Sequence, residues 1–456
     1  MKSLAVGTAA LAVALSLMGC SGSLMGASAS APQPLTVTLP TLAPADATIP
    51  APQADTAGRR IHGRDPQSAL TGSAPSAALA SDGTAAATAS PNTRPGTAAT
   101  ASPGTRPGAA ATAAPSPPLT PAANARLDGA SVWIPYWNLA AGVATATQHA
   151  SIVKVAHPFL YELTGRDTLV DQSGGAAPST IATLHAAHLT VIPTVTETAQ
   201  MATFLATLRH PRRETAVLHT LVALADQPDV DGVDLDFENL AIGSGSARQA
   251  GALAQLYPRF VARLCVTLHA LGRSCEVTVM AKNTRGQLGG GGLDTRVYDY
   301  AALGAIADRV QIMAYDDHVP SGAAGPVAPW PWVQSVLAYA LTQIPAGKIV
   351  LGVPAYGYEW SSNGDNTSLT ATSAEALAQR EHAAVRWSSV DAEPTFAFRT
   401  GRRRHRVHHV VWFEDATANY DRAVLAADDK LAGIDLWAAG DEDPSTWTML
   451  ARLAAP

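Results

Sequence analysis

Cysteine is scarce in this chain of 456 residues: there are three, at positions 20, 265 and 275. At most one pair can therefore form within the folded part, which excludes a disulfide framework as the basis of the fold. Charge is sparse too, at 15% of residues, and the 37 anions outnumber the 31 cations for a net charge of -6. Binding to phosphate needs a concentrated excess of Lys and Arg, so this balance argues against a nucleic-acid partner. The one basic cluster, Arg402-Arg403-Arg404-His405-Arg406, sits where a turn is expected and reads as a solvated hairpin tip or as a contact for an anionic wall polymer. Beyond the first twenty residues there is no long uncharged apolar run, so no membrane-spanning helix is expected. From Ser21 to Ala125 there is no aromatic residue, hence no stacking platform for a sugar. Gly289 to Gly292 lack a following Lys-Ser or Lys-Thr, so a phosphate loop is not expected there.

What is present divides into three parts. Residues 1–20 carry Lys2, an apolar run from Leu4 to Leu17, and then Leu17-Met18-Gly19-Cys20. This is the layout of an export signal, and it resembles a bacterial lipoprotein signal with cleavage before Cys20, which would then carry the lipid; an ordinary signal peptide is the alternative. Ser21 beside it favours an outer-membrane destination where the host has one. Residues 21–125 are Ala, Pro, Thr, Ser and Gly, with an Ala-Thr-Ala-Ser-Pro repeat at 87–96 and 99–108, and such a segment cannot bury enough apolar surface to offset chain entropy. It reads as a disordered tether.

From residue 126 to 456, short β-branched runs alternate with helical patterns, the signature of a parallel sheet covered by helices. The candidate strands are Val132 to Trp137, Ile152 to His157, Thr190 to Val195, Val230 to Phe237, Glu276 to Met280, Val310 to Ala314, Ile349 to Pro354 and Gly433 to Trp437, enough for a (β/α)8 barrel, an α/β fold. The interval from about 361 to 409 is too long for a loop, and the runs Thr395 to Phe398 and Val407 to Trp412 imply a small β-rich insertion after the seventh strand. Pro258 either kinks the helix around it or marks its start. Cys265 and Cys275 are either a disulfide or two small buried residues.

Period-two alternation in the fourth strand sends Val233, Leu235 and Phe237 to one face and Asp234, Asp236 and Glu238 to the other. The three acids then point into the barrel and climb toward its C-terminal rim, where such barrels place their sites. Crowding raises the pKa of at least one of them, and a carboxylic acid that stays protonated near neutrality is what a glycosidic oxygen needs in order to leave. An acidic strand end facing water, a divalent-cation site and a structural network remain alternatives at this point. No His pair with metal-ligand spacing surrounds the run, and the adjacent His408 and His409 would point to opposite faces of a strand.

Asp231-Gly-Val-Asp-Leu-Asp-Phe-Glu238 resembles the DGxDxDxE signature of family 18 glycoside hydrolases, the chitinase superfamily. Gln311-Ile-Met-Ala-Tyr-Asp316 is similar to that family's sixth-strand Q-x-M-x-Y-D, and Trp437 stands where its eighth strand supplies a tryptophan. Leu351 to Trp360, Val411 to Asp415 and Trp437 to Pro444 resemble the spore-cortex-lytic branch of peptidoglycan hydrolases, although that branch often has Asn at the position of Asp234 and often carries LysM modules. The resemblance implies that Glu238 is general acid and then base, that Asp236 orients the substrate's N-acetyl group with Asp234 behind it, and that Tyr315 bonds the same group. It places Trp437 beneath the sugar, with Gln311, Met313, Asp316 and Tyr136 as further substrate neighbours. The implied enzyme is a retaining, substrate-assisted hydrolase of β-linked N-acetylglucosamine polysaccharide, peptidoglycan before chitin, working as a monomer without cofactor or metal and held at the envelope by a lipid on Cys20. The alternatives are a chitinase and, in another class, a glycan-binding protein without activity on the same barrel.

Overall fold

The computed structural model describes residues 118–453 except 123–124, 166, 243–244, 285–292 and 403. Cys20, the tether up to residue 117 and the glycine run at 289–292 lie outside the described residues.

β1 (Ala130–Pro135) leads through α1 (Leu139–Gln148) to β2 (Val153–Thr164), which folds back as the antiparallel β3 (Thr168–Asp171). After α2 (Ala177–Ala186) come β4 (Thr190–Val191) and β5 (Thr194–Glu197), then α3 (Met201–Leu208), α4 (Pro211–Ala225) and β6 (Gly232–Asp236). α5 (Ala247–Ala270), β7 (Ser274–Met280), α6 (Tyr300–Ile306), β8 (Arg309–Met313), α7 (Trp330–Leu341) and β9 (Ile349–Pro354) continue the alternation. The chain then departs through β10 (Tyr356–Ser361), β11 (Thr367–Thr370), α8 (Ala371–Arg380), β12 (Arg386–Ser388), β13 (Glu393–Thr400) and β14 (Val407–Phe413). It returns by α9 (Ala416–Asp428), β15 (Gly433–Trp437) and α10 (Thr446–Leu450). The parallel strands run in the order β1-β15-β9-β8-β7-β6-β5-β2, and β1 also pairs with β2, so the sheet closes into a (β/α)8 barrel.

The third barrel position is two short strands where the sequence reads as one. Pro193 lies between them and has no N–H for a ladder bond, although its carbonyl still accepts from the Asp234 amide at 3.1 Å. In β6 the outward Val233 and Leu235 are fully buried, and Phe237 packs edge-on to Phe204 of α3 with ring centroids 5.4 Å apart. Gly232 is required by close approach: a Cβ there would lie 2.5 Å from the Ser274 carbonyl oxygen of the adjoining strand. Asp231 stays below the rim, where its carboxylate accepts from the Val191 amide at 2.8 Å and pins β4 against β6.

α5 begins at a capping box on Ser246 and Gln249 and runs unbroken past Pro258, which is interior to the helix and does not start it. Cys265 of this helix and Cys275 of β7 are joined by a disulfide, S–S 2.05 Å. Of the two readings of this pair the disulfide is the one found, because the tight α5–β7 turn brings the two Cα atoms to 5.2 Å.

The insertion is wider than the interval from 361 to 409. It is a five-stranded antiparallel sheet, β11-β10-β14-β13-β12, that starts at Tyr356 because Gly357 to Ser361 pair directly with His409 to Phe413. With α8 it builds a small core of Ala374, Leu377, Phe396, Val411 and Phe413. The described arginines of the basic run, Arg402, Arg404 and Arg406, are exposed around the β13–β14 turn. Ordered packing also begins before residue 126: the amides of Leu119 and Ala122 donate to Asp421 (2.7 Å) and Asp428 (2.9 Å) of α9, and Ala125 is buried.

Candidate active site

Three carboxyls rise along β6 in successively less buried settings. Asp234 is fully buried and accepts from two hydroxyls, that of Thr194 of β5 at 2.8 Å and that of Thr278 of β7, whose one proton is shared between the two carboxylate oxygens at 2.9 and 3.0 Å. Burial raises its pKa, while the nearby His157 and the two hydroxyls pull the other way. Asp236, two residues on, has neither hydroxyl: its Oδ1 is buried without a hydrogen-bond partner among the described residues. Burial, and after it the neighbouring Glu238 and Asp234, push this carboxyl well above the usual range. Glu238 lies just past the strand, half-buried, and is pushed up to about 7 by burial and then by Asp316.

The opposite wall comes from the loop after β8. Tyr315 is 9% exposed, and its phenol lies within the field of Asp236, Glu238, Asp316 and Asp435, which together with burial holds it protonated. Gly352 makes room for it, since a Cβ there would come within 3.0 Å of the Tyr315 ring and 2.6 Å of the Ile312 carbonyl. Asp316 adopts a left-handed backbone (φ 62°), which turns its carboxylate onto the hydroxyls of Tyr356 (2.6 Å) and Tyr358 (2.9 Å) at the root of the insertion. Those two tyrosines and Trp360 are buried, so none of them offers a ring face to a ligand.

Aromatic faces gather instead at the ends of β1, β2 and β15. Trp437 is half-buried and stands edge-on to Phe159 (5.2 Å), Trp133 (5.9 Å) and Trp137 (6.0 Å). Trp137 is 47% exposed and meets Tyr136 at 4.9 Å, so it, more than the half-buried Tyr136, is the open platform at this end. Met313 ends β8 half-buried beside Tyr315 in the chain.

Gln311 is not brought to this cleft. It is fully buried lower in the barrel, where its side-chain amide donates to Glu276 at 2.6 Å. Glu276 and Asp435 flank the ring of His157 at 3.0 and 2.6 Å. Burial opposes a charge on His157, but the two carboxylates outweigh it and raise its pKa, which makes a compact ion cluster directly below the acids of β6. His157, Glu276 and Asp435 were invisible as site residues in sequence, since each sits alone in an apolar strand. So was Glu197, which ends β5, is 1% exposed, and shares its surroundings with Asp236 and Glu238. The only hint was an acid closing a Thr-Val-Thr strand.

The arrangement offers one carboxylic acid poised near neutrality, a carboxyl and a phenol facing the same space, and an aromatic wall. Among the described residues no group of His, Cys, Asp and Glu is arranged to hold a metal ion.

The family model for glycosyl hydrolases family 18 matches residues 165–443. Among curated sequences, the chain is 29% identical over 234 residues to an uncharacterised glycosylase, YvbX, of Bacillus subtilis, covering 51% of this chain and 64% of that protein. It is 33% identical over 159 residues to the cortical fragment-lytic enzyme of the same organism, covering 34% of this chain and 36% of the other. The chain thus spans less than two thirds of the length of either relative. The crystal structure of a chitinase from Chromobacterium violaceum superposes with a TM-score of 0.63 at 26% identity, over 72% of this chain and 99% of that one.

Proposed function

This chain belongs to the glycosyl hydrolases of family 18, and we propose that it hydrolyses β-linked N-acetylglucosamine in a cell-envelope glycan, peptidoglycan in preference to chitin. The observation that carries the reading is the graded set Asp234, Asp236 and Glu238, with the outermost acid pushed up to about 7 opposite Tyr315. Protonated Glu238 donates to the glycosidic oxygen as the bond to the anomeric carbon breaks. The substrate's own acetamide oxygen attacks that carbon from the other face, so the enzyme needs no carboxylate nucleophile. Asp236 and Tyr315 hold the acetamide in line, and Asp234 keeps Asp236 in place through the strand. Glu238, now a carboxylate, draws the proton from a water that opens the cyclised intermediate, and configuration at the anomeric carbon is retained. Trp437 and Trp137 supply the apolar surface under the sugar.

The test is kinetic. Glu238→Gln keeps the shape but has no transferable proton, and is expected to lower kcat by about 10³-fold or more with glycan affinity nearly unchanged. A substrate lacking the acetyl group at the cleavage subsite should bind without turning over, and a thiazoline analogue of the cyclised intermediate should inhibit tightly. Equal rates on acetylated and deacetylated substrates would refute the mechanism.

A chitinase is the second reading, favoured by the likeness to the Chromobacterium violaceum structure along nearly its whole length. The cortical fragment-lytic relative, the more identical of the two proteins compared, supports peptidoglycan. Parallel digestion of purified peptidoglycan and chitin oligosaccharides, with the new reducing ends identified by mass spectrometry, separates them. For location, the reading is a monomer tethered to the envelope through lipid on Cys20; absence of labelled fatty acid from the protein in its native host would remove that part.

A further inference from the structure

Glu238 stands on a turn, not on a strand, so something must hold that turn still. On one side the Tyr298 hydroxyl donates to the Phe237 carbonyl at 2.8 Å. On the other, both attachments come from one residue. The Oε1 of Glu197 accepts the backbone N–H of Leu240 at 3.1 Å, and the backbone carbonyl of Glu197 accepts the side-chain amide of Asn239. The Glu238 carbonyl also accepts from the amides of Ala241 at 2.9 Å and Ile242 at 3.2 Å, so the turn is held by its own bonds and by anchored neighbours, and two of the bonds to other elements run to the last residue of β5.

Glu197 cannot reach a sugar. It is 1% exposed, so a role as the enzyme's nucleophile is closed to it and any contribution must pass through the groups it faces, Asp236 and Glu238. We propose that Glu197 is a positioning residue for the glycosidase reaction, which fixes the 238–240 turn through the Leu240 amide and so sets where Glu238 holds its proton. The inference rests on the assignment of Glu238 as the acid.

The chemistry of the surroundings specifies the form in which Glu197 works. The groups facing it are the carboxyls of Asp236 and Glu238 on the β6 side, the phenol of Tyr257 on α5 and the phenol of Tyr298 after β7. Burial, then Asp236 and Glu238, drive its pKa well above the usual carboxylate range, in keeping with a neutral carboxyl whose carbonyl oxygen accepts from Leu240. Its Oε2 is buried with no hydrogen-bond partner among the described residues, a setting that costs a neutral carboxyl less than it would a carboxylate. An amide is the closest mimic of that neutral form, which makes glutamine the informative substitution.

The experiment compares Glu197→Ala and Glu197→Gln with the unmodified full chain on a fluorogenic N-acetylglucosamine oligosaccharide, with kcat and KM measured across pH. Glu197→Ala removes the Leu240 bond and leaves the Asn239 bond to the backbone carbonyl in place; loosening the turn on that side should misplace the acid by a fraction of its reach and lower kcat about 10-fold. KM should stay within about twofold, since binding groups are untouched. Glu197→Gln should recover kcat to within about threefold of the parent with the alkaline limb unmoved, because no charge has been removed. The proposal is overturned if Glu197→Ala keeps the parental kcat, if Glu197→Gln falls as far as Ala, or if Gln moves the alkaline limb to lower pH, the sign of a lost carboxylate. Calorimetry checks folding. If the Ala variant does not fold, Glu197→Asp replaces it: one methylene shorter, it keeps the acid but cannot span to Leu240, and parental turnover there overturns the proposal equally. Glu238→Gln run alongside separates the two readings, since activity in that variant sinks the assignment of the acid, whereas a dead Glu238→Gln with a fully active Glu197→Ala sinks only the clamp.

Discussion

At the scale of single residues, the proposed mechanism has Glu238 act in its protonated form, and its carboxyl is pushed up to about 7. Activity should therefore fall as pH rises through about 7, and the limb belongs to the interacting group of Asp236 and Glu238. Asp316 contributes by charge to that elevation. Asp316→Asn removes the charge, Glu238 ionises more readily, and the alkaline limb of kcat/KM against pH should move to lower pH. A second prediction follows from the same elevation by linkage. A carboxyl whose pKa is raised by folding favours the folded state at pH values below its unfolded pKa, and that advantage is lost as pH climbs through the folded value. Glu238→Gln should then melt above the parent at about pH 8 and by a smaller margin at about pH 5, measured by calorimetry. Asp234, Asp236 and Glu238 were legible because a strand's period of two puts them on one face. His157, Glu197, Glu276 and Asp435 were not, because closure of the barrel brings together single residues from four strands that no spacing in the chain connects. Gln311 shares a motif with Tyr315 yet lies lower in the barrel, bonded to Glu276.

At the scale of elements, eight strand positions were readable from β-branched runs; the short β3, β11 and β12 were not read, and two further differences have local causes. Pro193 divides one strand, and β10 was missed as a strand because it follows β9 across the single residue Ala355, with no turn signal between them. The insertion is fastened to the barrel by Arg422 of α9, whose guanidinium lies 3.2 Å from Glu393 and 2.8 Å from Glu414 in a fully buried setting. The disulfide between α5 and β7 closes a loop across a sequence separation of 10 residues. A closed loop of that size stabilises by roughly 2 to 3 kcal/mol through loss of freedom in the unfolded chain. Reductant should accordingly lower Tm while leaving kcat on soluble oligosaccharide intact, since the bridge lies on the outer side of β7 and touches none of the acids of β6. Identical melting curves with and without reductant would count against this.

For the whole molecule, the boundary of the folded part follows from contacts and not from composition. Low complexity continues to residue 125 in the sequence, yet the amides of Leu119 and Ala122 already donate to Asp421 and Asp428. A polypeptide starting near residue 118 should match the full chain in Tm and turnover. One starting at Arg126 loses both bonds and the burial of Ala125 and leaves two carboxylates without these partners, for about 1 kcal/mol per bond. In a domain this large that corresponds to a fall in Tm of about 1 to 2 °C per kcal/mol, with turnover at room temperature retained. Equal melting temperatures for the two polypeptides would place the boundary at 126 after all.

Where the chain enters the barrel has a mechanical consequence. β1 is entered from its lower end, next to the start of β15, and the Leu127 amide bonds the Leu453 carbonyl at 3.2 Å, so entry and exit are stitched together at the base. Glu238, Trp437 and Tyr315 all lie at the upper ends of their strands. Ahead of that stitch the chain lies along α9, bonded near its last residue through Ala122 and nearer its first through Leu119, so a force applied at residue 118 reaches α9 before it reaches β1.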